Sequence, residues 1–216
     1  LLSIDSVEKL INSKPRGFFK GIIPVDFGGF PVNLEEFRSL ADKHNLWIIE
    51  DACHAPGGYF IDSKQKPQRC GNCKYADIGI FSFHPVKHIA CGEGGMITTD
   101  SKELYDKLIL LRTHGITKNN INQDHGDWYY EMNELGFNYR LTDIQASLGI
   151  TQLKKNVNGV NKRNKIASNY RSAFKNHIKF QKTSSNYFNA YHLFIIEVNE
   201  RKRLYDFLKK NNIFSQ

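Results

Sequence analysis

No stretch of this 216-residue chain reaches the eighteen or so consecutive apolar residues of a membrane span. No membrane partner is therefore expected. The first residues, Leu1-Leu2-Ser3-Ile4-Asp5, lack the basic region and cleavage pattern of a signal peptide, so the expected location is cytoplasmic. An initiator methionine is also missing, and the chain reads as a piece of a longer protein. The four cysteines lie at 53, 70, 73 and 91, and the Cys70-Gly71-Asn72-Cys73 unit has no second C-x-x-C to complete a zinc ribbon. A thioredoxin-like pair would open a helix, whereas this one precedes a strand. Reduced loop thiols are expected. The net charge of +8 is spread along the chain with no aromatic-interleaved basic stripe, which argues against nucleic acid. A phosphorylated small molecule remains a fitting anionic partner. His84 and His88 have no carboxylate spaced to complete a metal site with them, so no metal is expected.

What is present is ordinary globular composition, 40% apolar and 24% charged, in a chain long enough for one or two domains. Asp5-Ser6-Val7-Glu8 has a capping-box pattern and predicts a helix to Ser13. Phe18 to Val25 predicts a buried strand, with Asp26 to Pro31 as its exit loop. Asn33 caps a second helix whose inner face is Leu34, Phe37, Leu40 and Ala41. Leu46 to Ile49 is a short apolar strand closing on Glu50-Asp51, which completes a βαβ unit. Further strands are predicted over Ala76–Phe81 and Gly95–Thr99, then a helix from Asp100 to about Arg112. A polar, Asn-rich loop follows Gly115 to about Tyr130. Helical periodicity runs from Leu141 to Phe174 through Ile144, Leu148, Leu153, Val157, Val160 and Ile166, weakened at Gly159. A strand over Ala190–Val198 and a helix over Glu200–Asn211 end the pattern. The fold class is α/β: the latter portion of a doubly wound domain with three or four parallel strands, then a partial small α+β domain.

Ligands of open α/β sheets bind at the carboxyl ends of the strands. Asp51, Ser82 and Lys87 all fall there. Lys87 lies in Phe81-Ser82-Phe83-His84-Pro85-Val86-Lys87, just before the Gly92-Glu93-Gly94-Gly95 bend. A desolvated lysine is a carbonyl-attacking nucleophile. An Asp and a Lys at neighbouring strand ends suit pyridoxal phosphate, with the lysine on the aldehyde and the carboxylate on the pyridinium nitrogen. Taken singly, each residue also has a plain role: Asp51 as a cap, Ser82 in a turn, Lys87 on the surface.

Five segments appear in one order: Glu50-Asp51-Ala52-Cys53-His54-Ala55, Phe81 to Lys87, Gly92 to Gly95, Leu111-Arg112-Thr113-His114-Gly115, and Gly136-Phe137-Asn138-Tyr139-Arg140-Leu141-Thr142-Asp143-Ile144-Gln145-Ala146. In this the chain resembles the DegT/DnrJ/StrS sugar aminotransferases over nearly its whole length. Phe81–Lys87 and Trp128–Glu131 resemble the branch that aminates UDP-linked 4-keto sugars in pseudaminic acid biosynthesis. The resemblance implies the pyridoxal-phosphate transferase fold of type I, like that of aspartate aminotransferase. Residues 1–113 would be the latter part of its large cofactor-binding domain. Residues 114–140 would be a loop and interface segment, and 141–216 a connecting helix with an incomplete small domain.

Roles follow from the resemblance residue by residue. Lys87 would form the internal aldimine and carry the proton in catalysis. Asp51 would hold the pyridine nitrogen, His54 would lie near the cofactor ring, and Ser82 would donate to the phosphate. Asn138 would reach that phosphate from the other subunit of a homodimer. Arg140 would hold the donor carboxylate or brace the subunit contact. L-glutamate would be the amino donor. A sugar-dehydrating branch of the family carries His in place of the lysine, so Lys87 favours transamination. An inactive or regulatory fragment is the remaining alternative.

Overall fold

A computed structural model describes residues 1–117, 126 and 128–216. Residues 118–125 and 127, which hold much of the expected Asn-rich loop, lie outside the described residues.

The predicted βαβ unit organises the structure. Strand β1 (Gly21–Ile22) runs parallel to β2 (Trp47–Asp51), and α2 (Leu34–His44) connects them. Leu34, Phe37, Leu40 and Ala41 of α2 are buried, as the spacing predicts. They pack with Ile22, Val32, Leu46 and Ile48 into the main core, which α1 (Ile4–Asn12) covers with Ile4, Val7 and Ile11. Helix α1 begins two residues earlier than its capping-box pattern indicates. Ser3 is the extended N-cap and Asp5 sits in the first turn, where a carboxylate favours the helix dipole. The strand expected over Phe18–Val25 narrows to β1, with Val25 adding a single bridge to Asp51.

Between β2 and the next core strand lies a hairpin, β3 (Tyr59–Ile61) and β4 (Pro67–Arg69). Strand β5 (Ile78–Ser82) then pairs parallel with β2, setting Asp51 opposite Ile80. Strand β6 (Gly95–Thr98) pairs antiparallel with β5, so the main sheet, ordered β1-β2-β5-β6, is mixed. A parallel return needs a crossover of a dozen or more residues, usually helical, and the segment between Ser82 and Gly95 contains no helix. Helix α3 (Lys102–Arg112) starts at Ser101, whose hydroxyl accepts from the Leu104 amide. Strands β7 (Ile116–Thr117) and β8 (Glu131–Met132) form a small antiparallel pair after it.

Helix α4 (Asp143–Phe174) is a single rod of 32 residues, about 48 Å long at 1.5 Å per residue. Its start has a true capping box between Thr142 and Gln145. The apolar positions that mark it as a helix stay largely on its outer side: Ile144, Leu148, Leu153, Val157 and Ile166 are exposed. Its inner face is Asn156, Val160 and Ala167. That face docks through polar side chains onto backbone carbonyls. Asn156 donates to the Pro56 carbonyl (3.0 Å), Asn164 to Asn189 (2.9 Å), and Arg171 to Gln181 (2.6 Å). Gly159 lies in the rod's interior with nothing within 4 Å of a built Cβ. Gly159→Ala is therefore expected to stabilise the protein by about 1 kcal/mol. A thermal melt would show this as a rise of roughly 2–4 °C.

Strands β9 (Lys179–Phe180) and β11 (Ile196–Glu197) pair with each other, while β10 (Tyr187–Phe188) joins β3. The long strand expected over Ala190–Val198 shortens to β11. Its first half instead lies against the 3-10 turn Phe27–Gly29, where the Ala190 amide donates to the Gly29 carbonyl (2.8 Å) and the Leu193 amide to Gly28 (3.1 Å). Helix α5 (Arg201–Lys210) follows, as its pattern predicts. Among the described residues no helix is long and apolar enough to cross a membrane.

Candidate active site

Alternation along β2 turns Ile48 and Glu50 toward the covered face and leaves Asp51 half-buried on the other, at the strand's carboxyl end. The Asp51 carboxylate accepts the Cys53 amide (3.1 Å), which caps the turn that carries His54. Ser82 closes β5 one strand over, and its hydroxyl accepts the His84 amide (3.3 Å). Lys87 follows in a turn closed by its own amide on the His84 carbonyl (2.9 Å). Phe83, Ile89 and Cys91 fill the inside of this loop. Burial, and after it the Lys87 charge, depresses the basicity of His54, His88 and His192, while the Asp51 charge raises that of His54. The two opposite charges thus act on one imidazole from neighbouring strand ends.

Three histidines surround this point. His54 accepts the Gly28 amide at Nδ1 (3.3 Å), and its ring lies 4.4 Å from that of His192. The His88 and His192 ring centres are 5.6 Å apart. His88 Nε2 lies 2.9 Å from the Ala190 carbonyl, which only accepts, so Nε2 carries the proton. Burial and the neighbouring cations push His88 and His192 down to about 4, so both are neutral at pH 7. Their Nδ1 atoms are buried and unpartnered among the described residues. Cys53 is no nucleophile here: burial and the Asp51 carboxylate push its thiol up to about 12.

The segment that supplies His192 is fixed from two sides. Arg163 of α4 donates to the Tyr191 carbonyl (3.0 Å), and Gly29 receives the chain from below. Gly29 has φ +98°, and a Cβ there would stand 2.6 Å from the Tyr191 nitrogen, 2.8 Å from the His192 nitrogen and 2.9 Å from the His54 oxygen. All three are backbone atoms and cannot swing aside. Gly29→Ala should destabilise the protein by about 2–3 kcal/mol, as urea denaturation would measure.

Asn138 and Arg140 are exposed, and their partners lie at the end of α3 rather than in this cluster: no hydrogen bond joins them to Asp51, Ser82 or Lys87 among the described residues. Asn138 bridges Thr113 through the backbone, and Arg140 meets His114 Nε2 at 2.8 Å. Leu141, one residue on, packs against the Phe83 cluster, and a Cβ on Gly94 would come within 2.9 Å of it. The segment therefore rests beside the lysine loop without reaching into it. The cysteines are free thiols, Cys70 and Cys73 buried and Cys53 partly so.

Sequence reasoning missed His192 and gave His88 no role other than an unlikely ligand. No local pattern marks His192; only the fold brings it to His54. It also missed the buried pair Asp26 and Glu50, 0% and 1% exposed. The signal for Glu50 was available, because a carboxylate shares the inward parity of Ile48.

The donor set suits a phosphorylated pyridine aldehyde. A carboxylate and a hydroxyl close neighbouring parallel strands, a primary amine follows in the next turn, and two buried imidazole nitrogens, of His88 and His192, lack partners among the described residues. The chain belongs to the DegT/DnrJ/EryC1/StrS aminotransferase family, whose sequence model matches residues 1–216. A UDP-4-amino-4,6-dideoxy-N-acetyl-beta-L-altrosamine transaminase of Campylobacter jejuni subsp. jejuni serotype O:23/36 (strain 81-176) is 46% identical over 154 residues, covering 71% of this chain and 38% of its own. The solved structure of Helicobacter pylori PseC, an aminotransferase involved in the biosynthesis of pseudoaminic acid, superposes with a TM-score of 0.84 at 30% identity over 100% of this chain and 55% of that one. The PLP form of the putative sugar aminotransferase Spr1654 from Streptococcus pneumoniae gives 0.82 at 26% identity over 100% and 57%. The fold is thus the α/β fold of these aminotransferases, as the motifs imply. The chain spans about half or less of the length of the curated relatives it matches.

Proposed function

We propose that the protein uses pyridoxal phosphate to transfer an amino group from L-glutamate to a UDP-linked 4-keto sugar, in amino-sugar biosynthesis of the pseudaminic acid type. The observation that carries this reading is the parallel pairing of β2 and β5, which puts Asp51 and the loop that carries Lys87 on one carboxyl edge of the sheet. The relatives' names support the substrate class.

Pyridoxal phosphate, when bound, supplies an electron sink that makes an adjacent C–H acidic. Lys87 would hold its aldehyde carbon, and the Lys87 Nζ would carry the proton at the donor's α-carbon. The Asp51 carboxylate holds a proton at the pyridine nitrogen by charge pairing, while the Cys53 amide keeps that carboxylate in place. The Ser82 hydroxyl donates to the phosphate. His54, fixed by Gly28 and His192, would lie beside the ring. Neutral His88 and His192 add no positive charge next to Lys87.

A homodimer fits the exposed outer stripe of α4 and the exposed Phe137 and Tyr139 beside Asn138. In it, Asn138 and Arg140 would act across the interface. The test is 2-oxoglutarate release by the full-length protein from L-glutamate with a panel of UDP-linked 4-keto sugars. Turnover with one of them supports the reading, and none with any amino donor overturns it.

A further inference from the structure

We infer that Asp26 and Glu50 are a positioning pair: their buried carboxyls hold one proton between them and lock the strand end that carries Asp51. Asp26 leaves β1 and Glu50 precedes Asp51, so the pair spans the join between two parallel strands. The Asp26 amide donates to the Asp51 carbonyl (3.1 Å), and the Asp51 amide donates to the Pro24 carbonyl (2.9 Å). One oxygen of each acid is occupied by backbone: Asp26 Oδ1 accepts from Val32 (2.9 Å) and Glu50 Oε2 from Gly71 (2.8 Å). Asp26 Oδ2 is buried and has no donor among the described residues. Oxygens of both acids and the Cys70 sulfur lie within 4.8 Å of one another.

The groups that face the pair are all neutral or acidic. Asp51 faces Asp26 from β2, and Cys70 and Cys73 approach from the loop after β4. No Lys, Arg or His among the described residues forms an ion pair with either acid. Two adjacent buried carboxylates without a cation cannot both ionise, so one keeps a proton and donates it to the other. Burial raises Asp26 to about 6 and Glu50 well above its usual range, in keeping with this. Two oxygens and a thiol could also be read as metal ligands, but a protonated carboxyl satisfies Asp26 Oδ2 with no ion.

The proton is bound more tightly in the folded state than in the unfolded one, where carboxyls titrate near 4. Asp26 gives up its own proton near 6, whereas Glu50, raised well above its usual range, keeps the shared one past pH 7, so the stabilisation is complete below about pH 4 and falls as pH rises through 6 and on toward the titration of Glu50. Glu50→Gln removes the shared proton yet keeps the geometry, because the amide oxygen accepts Gly71 and the amide nitrogen donates to Asp26. The full-length protein should show an infrared C=O band of a protonated carboxyl at pH 7 that Glu50→Gln abolishes. The wild-type melting temperature should fall by at least about 3–6 °C between pH 5 and 8, and the Glu50→Gln variant's should fall by clearly less. Glu50→Leu should speed hydrogen exchange at the Asp26 and Asp51 amides at least about tenfold, whereas Glu50→Gln leaves it unchanged. Absence of the band, its survival in Glu50→Gln, one bound metal ion per chain by elemental analysis, or unchanged exchange in Glu50→Leu would each overturn the inference. Should Glu50→Leu not fold, the band and the pH profile still decide. The value of holding Asp51 rests on the function proposed above, but none of these readouts depends on cofactor or activity, so the two can fail separately.

Discussion

Replacing Lys87 with alanine should reduce amino transfer by the full-length protein at least about 10³-fold, because nucleophile and proton carrier are the same atom. Borohydride treatment with pyridoxal phosphate should leave a reduced cofactor mass on the peptide containing Lys87 in wild type and none in Lys87→Ala. The mass label is independent of turnover, so it separates a lost attachment point from a slow assay. Label on another lysine of the wild type would place the attachment elsewhere. The loop itself should survive the change, since its inside is filled by Phe83, Ile89 and Cys91 rather than by the lysine.

Asp51→Asn should lower kcat by about 10²–10³, the usual effect of deleting one preorganised charge at a reacting centre. The amide keeps an oxygen for the Cys53 amide, so the turn holding His54 remains capped. An unchanged melting curve alongside the fall in kcat is the expected pair of results. A large loss of stability with normal specific activity in the folded fraction would make Asp51 a structural cap and nothing more. The comparison matters because a plain capping role is visible in the structure, and only the charge separates the two readings.

Much of this was legible before any coordinates, and the reason is locality. Asp51, Ser82 and Lys87 each follow a short apolar run, and a strand end followed by turn chemistry is encoded within a few residues. The inner face of α2 follows from spacing alone. The direction of β6 was not legible as a strand pattern, since both directions use the same alternation; the lack of a helix after Ser82 was the usable clue. The three-stranded sheet β10-β3-β4 was missed because its strands are two or three residues long and β10 joins the local β3–β4 hairpin from far along the chain. The outer stripe of α4 shows the converse: periodicity identifies a helix correctly and says little about which side is covered here. His192 belongs to the same class of long-range fact, since it reaches His54 only because Gly29 and Arg163 seat its backbone.

The antiparallel return of β6 has one more consequence. Ser82 pairs with Gly95, Phe83 donates to the Gly94 carbonyl, and Cys91 donates back to Phe83, so the lysine loop is closed at its base and cross-tied within. Ordering roughly a dozen free residues around a ligand would cost about 1–2 kcal/mol of backbone entropy apiece. Here that ordering belongs to folding and is complete before anything binds. What is left to arrest is one flexible lysine stem, roughly 2 kcal/mol of rotamer freedom. The loop is a fixed mount with a single moving arm, and its reach is set by the length of four methylenes.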